Sequence, residues 1–261
     1  MNETIVMIHG MWGTGSYWEN FKGFFEDKGY QCVVPTLRFH NVDPKAVPDP
    51  RLGTTSLLDY AEDIEKLIHE LHVTPILMGH SMGGCLAQIL GSRGLAKALV
   101  LLTPTPPYGI IALRPSVVRA FWSALTTWGF WRKPFRLTFA ETAYSMLNRM
   151  PPESRKNIYD KFVFESGRAA SEIGFWIFDS RGAARVDETK VTYPVLIVAG
   201  EEDRIHPISV TRKIAEKYKR VATYKELSGH AHWVIGEPGW HEIVEYVEEW
   251  LHQVLDAPLK E

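Results

Sequence analysis

The sequence predicts an α/β fold: a three-layer αβα sandwich built on a mostly parallel sheet of about six strands, with a helical cap inserted late in the sheet. Three observations carry this expectation. Short apolar runs alternate with longer amphipathic segments, which is how βα units covered on both faces read. The 261 residues suffice for one large core, or for one domain bearing a substantial insertion. After Thr103 the alternation stops, and no further strand is expected until Tyr193 and Pro194.

Taken in order, the expected strands are Thr4 to His9, Gln31 to Pro35, Pro75 to Gly79, Lys97 to Thr103, Pro194 to Gly200 and Ala222 to Leu227. Most intervals between them suit one helix. Leu57, Ala61, Ile64, Leu67, Ile68 and Leu71 recur at helical period, so Ser56 to Leu71 is expected as a surface helix. His69 and His72 are read as residues of its end rather than metal ligands. A last amphipathic segment, Trp240 to Leu255, is expected to close the sheet.

The break begins TPTPPYG, whose prolines remove backbone donors and disfavour helix or inner strand. The expected division is a core of residues 1–103 and 188–261 and a mostly helical cap of residues 104–187. From Pro104 to Asp187 the chain holds 15 of its 31 aromatic residues, and twelve Lys or Arg against seven Asp or Glu. The run FWSALTTWGFW (Phe121 to Trp131) has two readings. It packs the cap onto the body, or part of it lines an apolar pocket or touches a lipid surface. Trp122 and Trp128 are the pocket candidates here, together with Trp12 from the first loop.

Composition narrows the classes. Hydrophobic residues at 45%, charged residues at 23% and a net charge of −2 argue against disorder and a membrane span and give no reason to expect nucleic acid. MNETIVMIHG lacks the basic and apolar regions of a signal peptide, so the cytoplasm is the expected compartment. Cys32 and Cys85 offer no disulfide framework and are read as small buried residues.

The stretch ILMGHSMGGCLAQIL places G-x-S-x-G, Gly79 to Gly83, between an apolar strand and an amphipathic helix, the context that makes this motif meaningful. Such an elbow presents the Ser81 hydroxyl at the carboxyl end of the sheet. Serine is a poor nucleophile unless a histidine takes its proton, and that imidazole needs a carboxylate to fix its tautomer.

With HG after the first strand, GHSMGG at the elbow, GEEDRIHP after a later strand and a histidine before an E-P pair near the C-terminus, the chain resembles the α/β-hydrolase superfamily, in its serine carboxylesterase and lipase-like branch. The resemblance covers the chain outside the cap. It implies a sheet entered at the family's third strand, hence six strands, and an acid at Asp203, after PVLIVAG. After Val34 and Pro35 the family often has an aspartate and a glycine-bearing loop, whereas this chain reads TLRFHNVDP.

For the base two histidines compete. Gly229-His230 matches the commonest family spelling, whereas His232 stands at the family's usual distance from Glu237 and Pro238; the spacing favours His232. The resemblance further implies an oxyanion hole formed by the backbone N–H groups of Met11 and Met82, no cofactor and no metal.

The expected activity is that of a serine hydrolase cleaving carboxylic esters of small to medium apolar substrates through an acyl-enzyme on Ser81. Same-fold alternatives are a thioesterase, lactonase, C–C bond hydrolase, cofactor-free haloperoxidase or hydroxynitrile lyase. From another class comes a ligand-binding member without catalysis. The expected partner is a small-molecule ester, with membrane contact through the cap as a further reading.

Overall fold

The structure is a computed structural model and describes residues 3–255. Its strands are β1 (Thr4–Ile8), β2 (Gln31–Val33), β3 (Ile76–His80), β4 (Ala98–Leu102), β5 (Pro134–Phe135), β6 (Glu165–Ser166), β7 (Val195–Gly200) and β8 (Ala222–Leu227). Six of them form one parallel sheet in the order β2-β1-β3-β4-β7-β8. Every residue of β1, β3, β4 and β7 is buried, whereas the edge strands β2 and β8 are mostly half-exposed. That contrast explains the sequence pattern: a strand covered on both faces reads as an unbroken apolar run, an edge strand as a mixed one.

The helices of the body are α1 (Glu19–Asp27), α2 (Leu57–Glu70) and α3 (Met82–Ser92). After β4 come five short helices, α4 (Pro115–Ala120), α5 (Trp122–Thr126), α6 (Phe139–Ser145), α7 (Pro152–Asp160) and α8 (Gly167–Gly174), and after β7 the body resumes with α9 (Ile208–Lys217) and α10 (Trp240–Leu255). Helix α1 packs beside α10, and α2 beside α3. Residues Met82 through Gly91 of α3 are all buried, so the helix expected as amphipathic is instead covered on every face.

The segment between β4 and β7 is helical as its sequence suggests, but it also contains the antiparallel pair β5 and β6. Two buried carboxylates fasten this segment to the body. Glu165 of β6 accepts from His40 Nε2 at 3.1 Å, from the Tyr60 hydroxyl at 2.7 Å and from the Ser166 N–H at 2.6 Å. Glu172 of α8 accepts from the Ser56 hydroxyl and the Leu57 N–H, each at 2.8 Å, which sets a negative charge at the N-terminus of α2. Helix α2 thus starts beneath the cap, with Ser56 and Leu57 fully buried.

Candidate active site

Strand β1 lies between β2 and β3, so the chain runs outward from β1 to β2 and then returns to the opposite side of β1. At such a reversal the connections leave a crevice beyond the carboxyl ends of the strands. The loops after β1 and β3, carrying Met11 and Ser81, flank it. Ser81 has φ 55° and ψ −120°, outside the ordinary basins, a strain of about 1–3 kcal/mol. Its backbone is held by bonds from Ser81 N–H to Leu102 O at 3.1 Å and from the N–H groups of Gly84 and Thr105 to Ser81 O, each at 2.9 Å. The flanking glycines are a steric requirement, since a Cβ on Gly79 would lie 2.2 Å from Gly83 O and one on Gly83 would lie 2.0 Å from Ile8 O.

Asp203 follows β7 and is 4% exposed. Its Oδ1 accepts the N–H groups of Ile205 and His206 at 2.8 Å, and its Oδ2 accepts from His232 Nδ1 at 2.8 Å. Burial alone would push the Asp203 carboxyl up, but the electrostatic pull of the neighbouring His232 and the hydrogen bonds from its ring and from the His206 N–H hold it below its ordinary value. An ionised Asp203 fixes the His232 proton on Nδ1 and leaves a lone pair on Nε2. That Nε2 is buried and has no hydrogen-bond partner within the structure.

The structure separates the two competing histidines. His230 Nδ1 meets Glu237 Oε1 at 3.0 Å, and the Ala231 N–H donates to the same oxygen at 2.9 Å. His230 therefore faces Glu237, while His232 faces Asp203. The buried Glu237 fixes the turn between them and so gives the spacing to Glu237 its physical meaning.

Three residues that the sequence reading gave no role complete the surroundings of His232. The His80 Nε2–H donates to His232 O at 2.8 Å, and the Thr103 hydroxyl donates to the same carbonyl at 3.1 Å. The His206 ring lies 5.1 Å from the His232 ring and the His80 ring 5.0 Å from it. His206 donates from Nδ1 to Thr103 O at 3.1 Å and accepts at Nε2 from the Thr105 hydroxyl at 3.2 Å. Burial, aided by the neighbouring His232, pulls the pKa of both His80 and His206 down to about 3, so both are neutral scaffolding. Both stand inside quoted motifs, GHSMG and DRIHP, but a motif does not say where a ring points.

Asp203, His206 and His232 place one potential metal-ligating atom each within 4.8 Å of one another. Both nitrogens of His206 and Nδ1 of His232 are engaged in the bonds just described, which leaves His232 Nε2 as the ring nitrogen still available.

The N–H groups of Met11 and Met82 make no hydrogen bond to other groups among the described residues. Behind Met11, His9 accepts the Leu37 N–H at Nε2 at 3.1 Å and donates from Nδ1 to Gly10 O at 2.8 Å. Trp12, at φ 61°, is gripped by the cap: its carbonyl accepts the Val163 N–H at 3.0 Å, and its ring lies 5.8 Å from Phe121 and 5.5 Å from Phe135.

Ser81 opens into a cavity of about 100 Å³ whose polar side chains are Ser81, Thr105 and His206. Met11, Trp12, Ala112, Leu113, Val117, Phe121, Ala124, Leu125, Phe130, Ala170, Ile173, Phe175 and Ile205 make its apolar wall. Trp12 is both core and wall. Trp122 and Trp128 are not in that wall, and the expectation for them is corrected: they are 59% and 86% exposed. Phe121 and Ala124 turn inward in their place, because a helix as short as α5 presents one narrow face to the body.

The profile of the alpha/beta hydrolase family matches residues 5–245. The chain belongs to that family. Over 247 residues it is 26% identical to a non-heme chloroperoxidase of Kitasatospora aureofaciens, a match covering 90% of this chain and 86% of the relative. Among solved structures, it resembles a methylesterase from Arabidopsis with a TM-score of 0.71 at 12% identity, covering 96% of this chain and 99% of the other. A monoacylglycerol lipase from Paleococcus ferrophilus is similar at TM-score 0.69 and 22% identity, with 96% and 94% covered. At these identities the structural matches establish the fold that this alpha/beta hydrolase shares with esterases and lipases. No described helix is long and apolar enough to cross a membrane.

Proposed function

We propose that this alpha/beta hydrolase cleaves carboxylic esters with small apolar acyl groups through an acyl-enzyme on Ser81. The observation that carries the reading is His232, locked to Asp203 through Nδ1 at 2.8 Å with a buried Nε2 that bonds to nothing among the described residues, Ser81 included. In the first step His232 Nε2 takes the Ser81 proton as Oγ attacks the ester carbonyl, and the Met11 and Met82 N–H groups meet the developing oxyanion. Collapse of this intermediate breaks the C–O bond, and the alcohol leaves with the proton from Nε2. Water, deprotonated by the same nitrogen, then attacks the acyl carbonyl, releasing the acid and restoring Ser81.

The size of the acyl group follows from the cavity. A closed apolar space of 150 Å³ holds a molecule such as benzene, and the space beside Ser81 is about 100 Å³. A short acyl chain fits, each buried methylene contributing about 0.8 kcal/mol.

The similarity to a chloroperoxidase favours a second reading, in which hydrogen peroxide replaces water on the Ser81 acyl-enzyme and releases a peracid. Peroxide-dependent oxidation of bromide in acetate buffer would report it.

The test is p-nitrophenyl butyrate hydrolysis and organophosphonate labelling by the wild type and Ser81→Ala. Turnover and a single label on Ser81 are expected for the wild type. The variant should lose at least about 10⁴-fold in kcat while melting like the wild type. A wild type that neither labels nor turns over would overturn the reading and leave a ligand-binding protein.

A further inference from the structure

Apolar side chains are unevenly spread over the described surface. Of twelve large hydrophobic residues that stand exposed, nine lie between Ile111 and Phe178 in the cap, including Trp128 at 86% and Phe178 at 84%. They are not scattered singly. The Trp128 and Trp131 rings lie 5.3 Å apart, Trp131 and Phe130 5.9 Å, and Phe130 and Phe175 6.4 Å. A surface groove of about 730 Å³ joins Phe130, Trp131, Phe175 and Phe178. Exposed aromatic rings gathered in this way about the buried Phe130 mark an interaction surface.

Charge says which kind. The cap carries twelve Lys or Arg against seven Asp or Glu, and the rest of the chain seventeen against twenty-four. The cap segment and the rest of the chain therefore carry net charges of opposite sign, and the aromatic rings belong to the positive segment. Arg168 and Arg181 of the groove are absorbed by Glu172. Two exposed cations stand beside the rings: Arg132 lines the groove, and Lys133 donates to the Trp128 carbonyl. Indole and phenyl rings amid basic side chains match the headgroup boundary of a bilayer with anionic lipid, where rings enter the interface and cations meet phosphate.

The underside of the same face bears on the site. Leu125, Phe130 and Phe175 line both the outer groove and the cavity beside Ser81, so one layer of side chains separates the two. We infer that the aromatic outer face of the cap, centred on Trp128, Trp131, Phe175 and Phe178, docks on an anionic lipid surface. The inference goes beyond the ester reading, and binding is measured without turnover.

The experiment is flotation of the full Ser81→Ala chain with vesicles of phosphatidylcholine alone and of phosphatidylcholine mixed with phosphatidylglycerol. Because that variant is inactive by design, a failure of the ester reading leaves the result intact. Flotation with the anionic vesicles, weakened by high salt, is expected. Adding Trp128→Ser and Phe178→Ser should lower the partition at least about tenfold with unchanged thermal unfolding. Any of four results overturns the inference: no flotation, equal flotation with both vesicles, equal flotation of the aromatic variant, or a lipid-free dimer in sedimentation velocity that the variant loses. The last would assign the face to a second copy of the chain.

Discussion

The carboxyl edge of the sheet and the seam beneath the cap both bury histidines, and they use them in opposite ways. At the edge, His9, His80 and His206 are fully desolvated, and burial draws each down to about 3. Each stays neutral and holds a nearby backbone. At the seam, His40 is equally buried, and burial would pull it down too. Yet Glu165, 3.1 Å from Nε2, reverses the direction, so that His40 is raised and Glu165 lowered. With Nδ1 donating to Arg38 O at 2.9 Å, His40 gives both its protons away as a cation.

The difference follows from what each region has to do. Neutral rings around His232 position it without adding charges beside the nitrogen proposed as the base. The seam joins segments 125 residues apart in sequence, and a buried ion pair with further bonds from Tyr60 and Ser166 fixes their geometry.

The largest expected effect lies at the edge. His232→Ala should lower kcat for a butyrate ester by at least about 10⁴-fold, whereas His230→Ala, which loses only its contact with Glu237, should cost less than about tenfold. Stopped-flow or steady-state assays of the two variants decide it, and equal losses would erase the distinction drawn between them.

The seam comes next. Glu165→Gln leaves His40 without its counter-ion and should cost about 3–5 kcal/mol in urea unfolding below the pH at which free histidine titrates, and less above it, where His40 can shed its proton. A variant as stable as the wild type at both pH values would show that the pair does not hold the cap.

The smallest effect compares the regions directly. Histidine in the unfolded chain takes up protons near 6.5, while His9, His80 and His206 resist until about 3, so their contribution is present above 6.5 and lost as the pH falls. Three such groups should remove about 2 kcal/mol between about pH 7 and 6. The raised His40 has the opposite sign, its contribution being fully present below about 6.5 and lost as pH rises through its folded value. The lowered Glu165 loses its contribution only in stronger acid. Replacing His206 by Asn should shallow the slope by about a third, and an unchanged slope would remove His206 from the set.

Much of the fold was legible because covered strands leave unbroken apolar runs, and the six expected strands match the observed ones to within two residues at either end. The pair β5 and β6 was not legible, since two-residue strands have no period. The inward rings of the cap escaped for a related reason: Phe121 stands in the break between α4 and the five-residue α5, where helical spacing cannot tell it from Trp122. At the site, residue types and chain order pointed to Ser81, Asp203 and His232. The supporting His80, Thr103 and His206 were invisible because their contacts join segments that only the folded sheet brings together.

Trp12 ties the loop after the first strand to the cap. Its neighbour Met11 offers the amide proposed for the oxyanion, while its own carbonyl and ring are fastened to Val163, Phe121 and Phe135 of the cap. Any excursion of the cap wide enough to admit a large substrate pulls on that amide one residue away. A substitution made to widen the entrance would then, on the proposed mechanism, also be felt in the clock of the reaction.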